Sequence, residues 1–101
     1  MKLVWTASAK RDLGEIVSYI WLENPAAAKK VRKRIEATAA YLLSQPFMGR
    51  PGAIPGTREA LPHPSYRIVY AVTDGIVSIL RIVHTSRQWP PDPDATDDET
   101  S

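Results

Sequence analysis

Three features of this 101-residue chain predict an α+β fold in the order β-α-α-β-β-β. Apolar residues recur at helical spacing from Ala9 to Ile20 and again from Ala28 to Leu42, while two β-type runs meet across Asp74-Gly75. A short apolar run, Leu3 to Trp5, precedes the first helix. A helical hairpin packed on one face of a small, mainly antiparallel sheet satisfies all three.

Lys2 to Trp5 reads as the first strand, and Thr6 or Ser8 can cap the helix that follows. That helix should run to about Leu22, with Ala9, Leu13, Ile16 and Ile20 inward, Tyr19 extending the stripe, and Lys10, Arg11, Asp12 and Glu15 on other faces. Asn24-Pro25 restarts the helix, because Asn caps and Pro at the first helical position loses no hydrogen bond. The second helix should reach about Ser44, and the short link forces an antiparallel pair.

Pro46 to Gly56 holds three prolines and three glycines and reads as a loop, followed by an extended segment from Thr57 to Leu61. Pro62 and Pro64 belong at a sheet edge or a turn. Tyr66 to Thr73 and Ile76 to His84 form a hairpin if Asp74-Gly75 is a two-residue turn. Strict alternation then puts Arg67 and His84 together on one face. Tyr66, Ile68, Tyr70, Val72, Val77, Ile79, Arg81 and Val83 fall on the other, the expected core face, where Arg81 needs a carboxylate or several carbonyls.

Residues 1–90 are expected to form one domain and 91–101 an acidic, disordered tail. Five of the 11 acidic residues lie after Pro91, which leaves 13 basic residues against six acidic ones in the domain. Such a body attracts anionic partners. With no cysteine, and only His63 and His84 as imidazoles, neither a metal site nor a cofactor is expected. The absence of a long apolar run or of a secretory leader predicts a cytoplasmic protein with no membrane partner.

The element order and the residues together resemble the RelE/ParE superfamily of bacterial toxins. The matching residues are Ala9, Asp12-Leu13, Ile16, Tyr19-Ile20, Asn24-Pro25, Ala28, Gly49-Arg50-Pro51-Gly52, Pro55 to Glu59, Tyr66 to Tyr70, and Ile79 to His84 with Arg87 and Trp89-Pro90. The resemblance implies the toxin of a type II toxin–antitoxin pair, neutralised by a ParD/RelB-like antitoxin. RelE-like members cleave mRNA in the ribosomal A site, with basic residues and a Tyr or His near the end of the last strand. ParE-like members lack that set and poison DNA gyrase.

RNA cleavage beside a 2′-hydroxyl needs a base, an acid and cations to hold the phosphate. Arg67 and His84 can supply a clamp and one proton-transfer group, and no second such group is evident. The motifs GRPG, PGTRE and IVHTSRQWP look more like the ParE-like branch, so gyrase is the expected partner and the ribosome with mRNA the alternative. A third reading is a degenerate member that binds only its antitoxin. Candidate target-binding residues are Arg50, Arg58, Arg67, His84, Arg87 and Trp89, and candidate antitoxin-binding residues are Lys29, Lys30, Arg32, Lys33 and Arg34. The plainer alternatives are that Arg67 braces Glu59, that Trp89 is a lid on the core and Trp5 and Trp21 pack within it, and that the basic helix is a solvated face.

Overall fold

A computed structural model describes residues 1–91, and the expected tail, apart from Pro91, lies outside them. The elements are β1 (Lys2–Trp5), α1 (Ala7–Trp21), α2 (Pro25–Tyr41), β2 (Arg50–Pro51), β3 (Arg58–His63), β4 (Tyr66–Thr73) and β5 (Ile76–His84). They form a five-stranded sheet in the order β1-β5-β4-β3-β2, with β1 parallel to β5 and the other pairs antiparallel. The helices cover one face, α1 over β5 and α2 over β3.

Local chemistry explains most boundaries. The Thr6 hydroxyl accepts the Ala9 N–H at 3.1 Å and donates to the Leu80 carbonyl at 3.0 Å, capping α1 and fastening it to the sheet. Asn24 accepts the Ala27 N–H at 3.0 Å, with Pro25 in the first turn of α2. Asp74 and Gly75 both have positive φ, 51° and 75°, as a type I′ turn requires. The core joins Leu13, Val31, Ile35, Ala39 and Leu42 of the helical layer to Ile68, Tyr70, Val77, Ile79 and Ile82 of the sheet.

Several expectations are corrected. Helix α2 ends at Tyr41, and turns carry the chain on to Ser44. The loop contains a short strand, β2, which pairs Arg50 with Glu59 and Pro51 with Arg58. Strand β3 runs past the expected Leu61 to His63, while Pro62 keeps the expected edge position on the side that β2 leaves unpaired. Tyr19 is 73% exposed and Trp21 is 48% exposed, so neither packs in the core.

The main correction concerns the hairpin. Thr73 does pair with Ile76, but the register shifts between Val69 and Tyr70, where Tyr70 faces Ile79 and Val69 faces Arg81. Leu80 is thus the extra residue of a β-bulge, which reverses the alternation beyond it. Ile82 and His84 join Ile68 and Tyr66 on the helix side, while Val83 lies opposite Arg67 on the far side. The expected juxtaposition of Arg67 and His84 is lost. The bulge falls where β1 ends opposite Ile79 and Thr6 takes over the edge through the Leu80 carbonyl.

Candidate recognition site

The bulge divides the polar residues into two groups. On the far face, Glu59 is 4% exposed and lies 3.4 Å from Arg50 and 3.5 Å from Arg67. It also accepts the Ala53 N–H at 3.3 Å, which draws the loop before β3 over this face. A buried carboxylate needs such company, and the fold contains the plainer alternative for Arg67, a contact that braces Glu59. The Arg67 side chain is 16% exposed, and its Nε is buried without a hydrogen-bond partner. Arg50 stays 67% exposed.

The second group lines a cleft of about 600 Å³ between α1 and the end of β5, formed by Asp12, Glu15, Tyr19, Tyr66, Arg81, His84, Arg87, Trp89 and neighbours. Past Trp5, β5 has no partner strand on this side, so its edge must be satisfied otherwise. Asp12 does this by accepting the Ile82 N–H at 2.9 Å while holding Arg81 through bonds of 2.7 and 3.2 Å. The bond to Asp12 raises the Arg81 pKa against the opposing effect of burial, so the guanidinium stays charged. Arg81 lies over the Trp89 ring at 5.6 Å, a cation–π contact that holds the segment after β5. Trp89 therefore stacks beside the sheet edge and is not part of the buried core cluster.

His84 packs edge-on against Tyr66, with ring centroids 5.3 Å apart, and His63 flanks the same tyrosine at 5.6 Å. The His84 Nδ1 accepts the Ser86 N–H at 3.1 Å, and the His63 Nδ1 accepts the Ser65 N–H at 3.0 Å. Burial, and secondarily Tyr19, raises the pKa of the Tyr66 hydroxyl above its ordinary value.

His84, Arg87 and Trp89 thus meet in the cleft, whereas Arg50 and Arg67 meet at Glu59. Arg58 stands apart, donating to the carbonyls of Gly49 and Phe47 at 3.0 and 3.1 Å. Lys29, Lys30, Lys33 and Arg34 are exposed on α2, and Arg32 pairs with Glu36 at 3.3 Å. Sequence reasoning left Asp12, Glu15, Tyr19 and Tyr66 out of the site. The need of Arg81 for a carboxylate was the available signal for Asp12.

The ParE toxin model of type II toxin–antitoxin systems, parDE, matches residues 3–89. The chain is 40% identical over 90 residues to the putative toxin Y4kP of Sinorhizobium fredii, covering 88% of this chain and 93% of that protein. It is also 40% identical over 86 residues to toxin RelE2 of Caulobacter vibrioides, covering 85% and 97%. Among solved structures, a chain of the chromosomal ParDE system of P. aeruginosa superposes with a TM-score of 0.75 at 28% identity, covering 83% of this chain and 95% of that one. The fold, the family match and these relatives agree that the chain belongs to the ParE toxin family and is a ParE/RelE-like toxin of a type II toxin–antitoxin system.

Proposed function

We propose that this toxin arrests growth by binding DNA gyrase and stalling it with cleaved DNA, and that a cognate ParD/RelB-like antitoxin neutralises it. The carrying observation is the separation of Arg67 from His84. Arg67 lies on the far face against Glu59, and His84 lies on the helix side against Tyr66. A nuclease needs a base, an acid and a phosphate clamp around one reacting group. The Nδ1 of His84 accepts the Ser86 N–H, and burial moves the pKa of the Tyr66 hydroxyl further above neutrality, which makes it a poorer source of a base. Arg81 and Arg87 line the same cleft as His84, but Arg81 is tied to Asp12 and stacked on Trp89, which leaves Arg87 as the one exposed arginine of the two. This arrangement supports recognition by surface contact over chemistry.

In this reading the target is met by His84, Arg87 and Trp89 at the cleft, with the exposed Arg50 and the loop-bound Arg58 and far-face Arg67 holding the flanking loop and sheet. The antitoxin uses Lys29, Lys30, Arg32, Lys33 and Arg34 along α2, and the relative solved as a ParDE system supports such a partner.

Induction in growing bacteria tests the proposal, with supercoiling, the DNA damage response and transcript integrity followed together. Growth arrest with DNA damage and intact transcripts is expected. Cut transcripts without DNA damage would replace gyrase with mRNA as the target, and normal growth would leave antitoxin binding as the remaining role.

A further inference from the structure

The solvent face of α2 is unusual in its charge. Lys29, Lys30, Lys33 and Arg34 form two i,i+4 pairs of like charge, Lys29 with Lys33 and Lys30 with Arg34, opposite the buried stripe of Ala28, Val31 and Ile35. Like charges at this spacing repel and destabilise a helix. None of the four forms an ion pair among the described residues, and the first turn of α2 carries no acidic residue. An anion lying along the stripe offsets that repulsion.

The chain contains a matching anion. Asp92, Asp94, Asp97, Asp98 and Glu99 follow Pro91 within ten residues. Pro91 lines the cleft with Glu15 and Tyr19 of α1. Two residues beyond Tyr19, the Trp21 ring lies 5.9 Å from the Lys29 ammonium at the head of the stripe. From Glu15 to Trp21 the helix advances about 9 Å, and Arg34 lies about 8 Å along α2 from Lys29. Ten extended residues reach about 33 Å, enough to cover that path.

We infer that the acidic segment 92–101 is a tethered occupant of the α2 basic stripe, shielding it until a more strongly bound acidic partner displaces the segment. A tether this short holds the segment at an effective concentration on the order of millimolar, so weak contacts suffice. The inference concerns this face alone and holds whichever target the toxin has. An antitoxin docking on α2 then competes with the toxin's own acidic segment.

The 101 residues include no cysteine, so Thr100→Cys provides a unique site for a nitroxide label in this chain without altering the five acidic residues. Amide signals of residues 29–34 should broaden at about 0.01 M salt and recover at about 1 M, where the Debye length shrinks to about 3 Å. Replacing Lys29, Lys30, Lys33 and Arg34 by Gln should abolish the broadening. Broadening that is absent, spread evenly, or centred on Arg87 and Arg11 would overturn the inference. As a second readout, a polyglutamate peptide should bind several-fold more tightly at low salt once the five acidic residues are replaced by Asn and Gln. An equal gain in the α2 Gln variant reports net charge alone and would overturn the inference. So would a gain for a DNA duplex of arbitrary sequence with none for polyglutamate.

Discussion

Asp12 and Arg81, 69 residues apart in sequence, are joined by hydrogen bonds of 2.7 and 3.2 Å, and the same carboxylate receives the Ile82 N–H. One side chain therefore locks α1 to the open edge of β5 and fixes the guanidinium on which Trp89 rests. Asp12→Ala leaves the Ile82 N–H and Arg81 without this partner. Because Arg81 is 42% exposed, solvent takes up part of the loss, and a destabilisation of about 1–2 kcal/mol is expected. Urea unfolding measures it. Trp89 fluorescence should also change in Asp12→Ala and stay near wild type in Glu15→Ala.

Tyr70 anchors the loop before β2. Its hydroxyl donates to the Pro46 carbonyl at 2.8 Å and accepts the Gly49 N–H at 3.0 Å, and its side chain is fully buried. Tyr70→Phe should cost about 1–3 kcal/mol, because the Gly49 N–H is left unpaired in a buried site. Equilibrium denaturation checks this, and the m-value should be unchanged.

Two glycines should respond in opposite directions to substitution by alanine. A Cβ at Gly49 would sit 2.6 Å from the Tyr70 hydroxyl and 2.7 Å from the Glu59 carbonyl oxygen. Gly49→Ala should destabilise by about 2 kcal/mol or more. Gly14 is exposed within α1 with nothing within 4 Å of its Cβ position, so Gly14→Ala should stabilise by about 0.5–1 kcal/mol. Thermal melts of the two variants provide the comparison.

The alkaline limb of stability should depend on Tyr66. Burial raises its folded-state pKa, so the unfolded chain loses this proton first, at its ordinary value of about 10. The unfolded state then binds fewer protons, and stability falls as pH rises from about 10 toward the folded-state pKa. Below that window the group contributes no pH dependence. Tyr66→Phe should flatten this part of the pH profile and leave the profile between pH 6 and pH 8 unchanged, as read by denaturation midpoints.

Elements governed by neighbouring residues were legible in the sequence. Strand β1, the caps at Thr6 and Asn24, the turn at Asp74-Gly75 and the spans of β4 and β5 each follow from a few adjacent side chains. The site was less legible because tertiary contacts set it. The bulge at Leu80 arises where β1 gives way to α1, a meeting of segments more than 70 residues apart, and it alone moves His84 away from Arg67. Asp12 read as a solvent-facing helix residue because its partner lies on a strand that the pattern of α1 cannot reveal. The contact of Glu59 with Arg67 was legible only as one of two readings of Arg67, the other being ligand binding, because the sequence alone does not place the β3 strand beside β4 in a fixed register.

The most direct test of a recognition toxin without a nuclease centre uses the purified full chain in two parallel reactions. One contains DNA gyrase, plasmid and ATP, and the other contains ribosomes programmed with mRNA. Covalently trapped, cleaved plasmid together with intact mRNA is the predicted result. Site-specific mRNA cleavage that disappears in His84→Gln, with no effect on gyrase, would contradict the account.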